Sequence, residues 1–348
     1  MKNKKYLLLL LPIIGLTACN GDAGTIKAKK YAPLTEEQQQ SISNAANNAA
    51  TATRMKVGLS VNDLSFAMNL KMTSGDQTVT TKTAIKQFHA NVDFQYETTS
   101  LNDISKLNAA LEITNLGFSY TIDKATNTSE DMAIKAYISN DYVYADISDT
   151  NLRSCIYGFI CLNYEMQGVP QDQVQAMATS MMAAIPEKIK LDVPLSSLIG
   201  SSTPSTDVSA TLPSIDLSTL MPMFLSFNDD LNFIGVSQDG ENTTLNITFD
   251  KKTIMSIVES LQESDSSSET NEVFNAIKYI GLDLSATMNS KYLIEKVDFK
   301  FEYSMSQKVE YEELSLKLFV DVSLTIDYTP SDLVLPLFTD YTPLGSNN

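Results

Sequence analysis

Few residues in this sequence are suited to acid–base or metal chemistry, since it has one histidine, three cysteines and no tryptophan in 348 residues. The histidine, His89, falls at a polar position of an alternating apolar and polar stretch, and no nucleophile motif surrounds it. Two interpretations stay open, a solvated strand histidine and a catalytic base, and the pattern favours the first. We therefore expect a protein that is not an enzyme.

The same scarcity argues against bound cofactors. A structural zinc site needs histidines or two cysteine pairs, and Cys155 and Cys161 form one pair with no histidine beside it. The acidic residues do not follow the spacing of a calcium-binding loop. The 13 glycines form no phosphate-binding loop. We expect neither a metal nor a cofactor.

Basic charge is also scarce. The chain carries 25 Lys and Arg against 42 Asp and Glu, with a net charge of -17. Such a surface repels a phosphate backbone, which excludes nucleic acid as a partner. Apolar residues make up 43% of the chain, enough for a large core, so global disorder is excluded as well. The composition predicts a folded, acidic protein, which we expect to be a monomer.

No apolar run is long enough for a mature membrane span, but a short one lies near the N-terminus. Residues 6–16 are apolar and follow Lys2, Lys4 and Lys5, as in a secretory signal peptide. The run ends in the sequence LTAC at residues 16–19, which is similar to the lipobox of bacterial lipoproteins. We expect residues 1–18 to be removed and Cys19 to be acylated. The alternative is an ordinary signal peptide that happens to contain a cysteine.

Residues 19–34 lack periodicity and are interpreted as a tether behind the acylated cysteine. Fully extended, the 15 residues 20–34 would reach about 50 Å. Lys27, Lys29 and Lys30 lie in this segment, either as contacts to an anionic leaflet or as solvated charges. The expected location is extracytoplasmic, lipid-anchored to the bacterial cell membrane through Cys19.

Residues 35–330 are interpreted as one α+β domain, with a Ser/Thr/Pro-rich loop at residues 200–219 and a C-terminal tail at residues 331–348. Residues 35–54 open the domain as a helix with acids in its first turn. Apolar residues at every second position then predict strands, the last of them spanning residues 314–328. Turns are predicted at residues 139–141 and 238–241. Further helices are predicted at residues 171–189, 252–261 and 270–280. The order favours one antiparallel sheet with helices on one face.

Two features between the strand groups bear on function. Gly158 could turn the chain so that Cys155 and Cys161 meet, and a secreted location favours a disulfide between them; the alternative is two small buried residues. The chain also has 14 methionines, several of them in residues 171–189, where Met177 and Met181 fall on the expected apolar stripe. Methionine suits surfaces that adapt to acyl chains, although each could simply fill the core.

The lipobox, the helix before the first strand, the sequence ISNDYVY at residues 138–144 and the strand plan of residues 282–326 together resemble the LolA and LppX/LprG type of bacterial lipoprotein. This resemblance implies a half-barrel, a large curved antiparallel sheet whose concave face is covered by helices. An apolar cavity between them would accept acyl chains. The resemblance carries over no catalytic residues. The long loop and the cysteine pair depart from the family's pattern.

These observations predict a non-catalytic carrier or chaperone that binds a lipid or other amphiphile in an apolar cavity. The alternative is a surface lipoprotein with a filled core that presents loops to a protein or glycan. The expected ligand-binding residues are Phe66, Met68, Leu70, Phe94, Phe118, Met177, Met181, Phe299 and Leu318.

Overall fold

The computed structural model describes residues 26–47, 52–74, 77–100, 103–122, 125–199, 225, 228, 231–261, 276–309 and 312–344. The predicted signal peptide, the lipobox with Cys19 and the loop at residues 200–219 lie outside these described residues.

Strands dominate the described part of the chain. They are β1 (Arg54–Ser74), β2 (Gln77–Thr98), β3 (Leu107–Ile122), β4 (Ala125–Ser139), β5 (Tyr142–Asp146), β6 (Lys188–Leu191), β7 (Ile234–Asp239), β8 (Asn242–Asp250), β9 (Ile277–Met288), β10 (Ile294–Val309), β11 (Glu312–Asp327) and β12 (Thr342–Leu344). The helices are α1 (Glu36–Asn47), α2 (Thr150–Met166), α3 (Gln171–Ala184), α4 (Leu195–Ile199) and α5 (Lys251–Leu261), and Ile104–Lys106 form a 3₁₀ turn.

All twelve strands form one open sheet in the order β12-β6-β5-β4-β3-β2-β1-β11-β10-β9-β8-β7. Strands β1 to β5 and β7 to β11 are two runs of neighbouring antiparallel strands, and the pairing of β1 with β11 joins them. The predicted α+β class and single large sheet are confirmed. The sheet is mixed, however, because the short β12 pairs with β6 in parallel.

Alternation and turn chemistry account for most strand boundaries. Strand β11 runs for 16 residues and agrees with the predicted last strand. Asn140 and Asp141 have φ angles of 49° and 69°, and Gly240 has a φ of 61°. Positive φ angles at these positions are what a tight hairpin turn needs. Both predicted hairpins are therefore confirmed.

Two of the helices begin at an aspartate cap. Asp149 accepts a hydrogen bond from the Leu152 backbone N–H at 2.8 Å, which starts α2. Asp250 accepts from the backbone N–H of Lys252 and Thr253 at 3.0 and 3.1 Å, which starts α5. Helix α5 was predicted from the sequence, but α2 was missed, because the chain was expected to turn at Gly158.

The helical conformation of α2 removes the predicted disulfide. Cys155 and Cys161 are free and lie six residues apart on this one helix. Six residues rotate the helix by about 240° and advance it by about 9 Å, so the two thiols point to different sides and cannot bond. Gly158 sits inside the helix, with open space where a Cβ would be.

Residues 277–280, predicted as the end of a helix, belong to β9. Ile277 and Ile280 are both buried in a cluster with Phe301 of β10 and Leu318 of β11. A short apolar run fits a helix stripe or a buried strand equally well, and here pairing with β10 decides for the strand.

The segment after β11 follows the sheet instead of leaving it. Arg54 forms an ion pair with Asp332 at 3.0 Å, and Phe338 stacks on Tyr144 with ring centroids 3.9 Å apart. Tyr341 is buried beside them. The ordered domain thus extends to Leu344, through the region that the sequence pattern leaves as a tail.

Candidate functional site

One side of the sheet carries a continuous apolar layer, which we call the apolar face. In-register pairing places a row of nine apolar residues across nine neighbouring strands, from β4 to β7. The row is Ile134, Ile113, Val92, Leu59, Leu324, Val297, Ala286, Leu245 and Val236. At the usual strand spacing this row is about 38 Å wide.

A second row crosses six strands and is rich in aromatic side chains. It consists of Phe88, Leu64, Val320, Phe301, Leu282 and Phe249. Because successive side chains in a strand point to opposite sides, antiparallel pairing in this register collects all of them on the apolar face. The other side, which we call the polar face, carries the alternate residues.

Helices pack against the apolar face near its two ends. At the β7–β8 end, Ile42 of α1 is buried together with Phe233, Ile234 and Leu245. Helix α5 adds Ile257 to the same cluster. These contacts bury the apolar face at the β7–β8 end of the sheet.

At the other end, α2 lies against β4 and carries an aromatic contact. Phe159 stacks on Tyr120 with ring centroids 5.7 Å apart and on Phe118 at 6.5 Å. Phe118 in turn stacks on Phe88 at 6.5 Å. Even so, 46% of Phe159 stays exposed. The α2 end therefore presents an aromatic edge to solvent.

The centre of the apolar face lies on β1 and β2, between these two helical covers. The main helix–sheet contacts of the described residues involve β4, β8 and β9. Leu59, Phe66, Met68 and Val92 are half-buried. These side chains form a half-buried apolar surface between the two ends of the sheet.

Seven of the nine predicted ligand-binding residues lie on this face. Phe66, Phe299 and Leu318 belong to one packed cluster, in which Phe66 pairs directly with Leu318. Met68 pairs with Leu316, and Leu70 with Leu314, farther toward the β1–β2 turn.

Phe94 and Phe118 lie apart from that cluster. Phe94 pairs with Val57 near the start of β1, and its ring contacts Tyr96 at 6.0 Å. Phe118 lies under α2. The seven residues therefore spread along the face and do not surround one point.

The other two predicted residues, Met177 and Met181, point away from the core, with 40% and 48% of their surface exposed. Helix α3 buries Val174, Ala178 and Met182 instead. The predicted apolar stripe contained Val174, but it continued through Met177 and Met181 instead of Ala178 and Met182. Packing on α2 selected the small Ala178, for which hydropathy gives little signal.

Several residues of the face were missed by the sequence analysis. Phe159 was assigned to a turn, although Leu152, Ile156 and Phe159 already have helical spacing behind Asp149. The rows themselves could not be seen, because they depend on strand register.

Two surface pockets lie elsewhere, and no predicted ligand-binding residue lines either one. One, of about 500 Å³, is lined by Asp250, Lys251, Lys252, Met255, Ser256 and Tyr279. The other, of about 400 Å³, is lined by Asn289, Ser290, Lys291, Leu293, Glu295, Ile326, Asp327, Tyr328 and Thr329.

His89 has a packing role. Its Nδ1–H donates to the Gln87 carbonyl at 2.8 Å, and its ring lies over Gly117 of β3. A Cβ on Gly117 would come within 2.5 Å of the ring, so glycine is needed there. The pairing of His89 with Gly117 explains both residues structurally.

Across the described residues, no three His, Cys, Asp or Glu side chains gather as metal ligands. In the same part of the chain, no helix is long and apolar enough to cross a bilayer.

The polar face holds one deeply buried carboxylate, Glu302 on β10, which is 4% exposed. Its Oε2 accepts a hydrogen bond from the Ile26 backbone N–H at 3.1 Å, whereas Oε1 is buried with no hydrogen-bond partner among the described atoms. Burial raises the pKa of Glu302 above its ordinary value. The pKa of the neighbouring Tyr279 is raised by burial and by the charge of Glu302.

The sequence matches no family model, and no curated protein is significantly similar to it. The geometry of the sheet therefore carries the functional argument.

Proposed function

We propose that this protein is a membrane-anchored extracytoplasmic lipoprotein that binds a lipid or other amphiphile on its apolar face. The observation that supports this most is the nine-strand apolar row, half-buried at its centre and covered by helices at its ends. In the proposed ligand-bound form, the helical covers and the central strands enclose the acyl chains in a half-barrel.

The energetics favour an apolar occupant of this surface. Burial of apolar area contributes about 25 cal/mol per Å², or about 0.8 kcal/mol per methylene. An acyl chain lying along the half-buried central strands would gain this amount at each methylene that leaves water. Contiguous exposed apolar surface beyond a few hundred Å² is uncommon on a monomer and usually marks a binding site.

We propose binding and transfer rather than catalysis. The only histidine in the chain is held by Gly117 and the Gln87 carbonyl. The proposed ligand surface is built from aliphatic and aromatic side chains, which can solvate acyl chains but supply no nucleophile.

The test uses mature protein with Cys19→Ser, so that the protein's own acyl chains cannot fill the site. Native mass spectrometry should detect co-purified lipid, and a fluorescent fatty acid should bind at saturable stoichiometry. If neither is seen, the lipid-binding proposal is wrong, and an interaction module for a protein or glycan becomes the better explanation.

Adjacent positions on β1 provide a matched pair of variants. Leu59 lies in the nine-residue row, whereas Ser60 lies on the polar face between Asn91 and Ser323. Leu59→Asn should weaken fatty-acid binding by about tenfold, which corresponds to about 1.4 kcal/mol of lost apolar contact. Ser60→Asn should leave it unchanged. Equal affinities for the two variants would show that the ligand does not lie on the apolar face.

A further inference from the structure

The first described residues form a strap across the polar face. Residues 26–33, which we call the strap, lie over β10, β9, β8 and β7 in turn. Lys29 Nζ contacts Asp283 Oδ2 at 2.9 Å, and Tyr31 Oη lies 3.0 Å from Thr248 Oγ1. The Thr248 hydroxyl donates to Asp283 Oδ1 at 2.8 Å, so it accepts from Tyr31. These bonds fix the middle of the strap to β8 and β9.

The start of the strap is held by Glu302 and Tyr279. Ile26 donates its backbone N–H to Glu302, and its carbonyl accepts from the Tyr279 hydroxyl. Both polar groups of one peptide residue are thus bonded to side chains of the sheet. Such paired bonds at partly buried sites fix the path of the backbone.

Two glycines of the sheet make room for the strap. A Cβ on Gly281 would lie 3.0 Å from the Ile26 Cβ and 2.5 Å from the Tyr279 hydroxyl. A Cβ on Gly235 would lie 2.2 Å from the Tyr31 ring. Two of the four strands under the strap, β9 and β7, therefore have a glycine where the strap passes.

At the end of the strap, the chain passes around the edge of β7. Tyr31 donates its backbone N–H to the Asn232 carbonyl at 2.8 Å, just before β7 begins. Leu34 and Ile42 then pack into the cluster on the apolar face. The strap and α1 thus clasp the edge strand from both sides, and the strap's starting end points back over the polar face.

Cys19 precedes Ile26 by seven residues. Seven residues reach about 25 Å at full extension, roughly half of what a free tether to residue 34 would allow. An acylated Cys19 would therefore lie within about 25 Å of Ile26, where the chain reaches the polar face of β9 and β10.

The charged side chains of the strap also suit a position near a lipid surface. Lys27 and Lys30 are exposed, and neither forms an ion pair with a described residue. Lys29 is the lysine that pairs with the sheet. Two exposed cations consequently remain for anionic headgroups.

We propose that the strap orients the domain, so that the polar face of β9, β10 and β11 lies toward the bilayer and the apolar face lies on the side away from it. The partner is a lipid surface with anionic headgroups that contact Lys27 and Lys30. The proposal rests on the acylation of Cys19, which is part of the proposed function.

The absence of tryptophan makes the test direct, because one introduced tryptophan is a unique donor. Acylated full-length protein is reconstituted into vesicles of phosphatidylcholine and phosphatidylglycerol containing dansyl-labelled phosphatidylethanolamine. One reporter is Lys317→Trp, an exposed position on the polar face, since Lys317 pairs with Ala67 and Ser304. The other is Phe159→Trp, on the apolar side. Each emission is normalised to vesicles without dansyl lipid.

We expect the Lys317→Trp reporter to lose clearly more emission to dansyl than the Phe159→Trp reporter. Gly235→Ala with Gly281→Ala should displace the strap and reduce this difference. Gly158→Ala is the matched control, because a Cβ there meets nothing. Circular dichroism checks that each of the two tryptophan variants is folded.

Equal emission loss from the two reporters in vesicle-bound protein would overturn the orientation while leaving the anchor intact. A difference that survives displacement of the strap would show that something else orients the domain, which also overturns the proposal. If the acylated protein binds vesicles no better than Cys19→Ser, the anchor itself is wrong, and the orientation falls with it.

Discussion

Glu302→Gln should stabilise the protein, and more strongly as the pH rises. Glu302 is 4% exposed, and its Oε1 has no partner among the described atoms. A buried polar atom without a partner costs about 1–3 kcal/mol, and more when it is charged. In the variant, the amide oxygen can still accept from the Ile26 N–H, so that bond is kept. The neutral amide also avoids the desolvation of a carboxylate.

The direction of this pH dependence follows from the pKa of Glu302, which burial raises above its ordinary value of 4.5. Between the unfolded and folded pKa values, the folded protein binds more protons than the unfolded chain. The contribution of this group to stability is therefore complete below the unfolded pKa and is lost as the pH rises through the folded pKa. One group can change the free energy of unfolding by up to about 1.4 kcal/mol per pH unit in that interval.

The assay is urea denaturation of the two proteins between about pH 4 and pH 8, followed by circular dichroism. We expect nearly equal free energies of unfolding at the acid end and a gain of about 1–3 kcal/mol for Glu302→Gln at the upper end. Glu241→Gln, at an exposed turn position, is the matched control and should change the free energy of unfolding by less than about 0.5 kcal/mol.

Two results would refute this reasoning. If Glu302→Gln and the parent have parallel pH profiles, the carboxyl does not change its protonation on folding. If the variant is less stable at every pH, the carboxylate is a favourable partner for Ile26, and its burial is compensated.

Three other predictions can be checked with single variants. Gly117→Ala should lower the free energy of unfolding by about 1–3 kcal/mol by overpacking against the His89 ring, and adding His89→Ala should recover part of this loss in a double-mutant cycle. Cys155 and Cys161 should both react with a thiol reagent in unfolded protein without prior reduction. Dithiothreitol should leave the melting temperature unchanged. If neither thiol reacts, the two cysteines form a disulfide after all. Radiolabelled palmitate should enter the parent but not Cys19→Ser during expression in a bacterial host, and equal labelling would contradict the proposed anchor.

The polar and apolar faces could be predicted because strand periodicity is a local property. Alternation in residues 314–328 gave the orientation of almost every side chain in β11 before any partner was known. The same holds for Phe66 and Phe299, which lie on the expected face. The strand register, which determines the two apolar rows, could not be predicted from the sequence. It depends on turns and on bulges such as the shift between Val61 and Asp63.

Helices were harder to predict, since short apolar runs are ambiguous. Residues 156–162 contain a glycine and two nearby cysteines, which favoured a turn, whereas packing on β4 stabilises a helix there. On α3, the choice between Met177 and Ala178 as the buried neighbour of Val174 depended on the surface of α2. Local hydropathy cannot distinguish neighbouring diagonals of a helix whose residues are mostly small or apolar.

The sequence by itself determined the acidic surface, the strand periodicity and the two faces of the sheet, and it supports the predicted lipid anchor. Only the tertiary structure decided that the strap binds the polar face, because Glu302 and Ile26 are separated by 276 positions. The lack of periodicity in residues 19–34 predicted a free tether, about 50 Å long when extended. Two hydrogen bonds to Ile26 and two glycines beneath the strap instead shorten the free part of the proposed tether to about 25 Å.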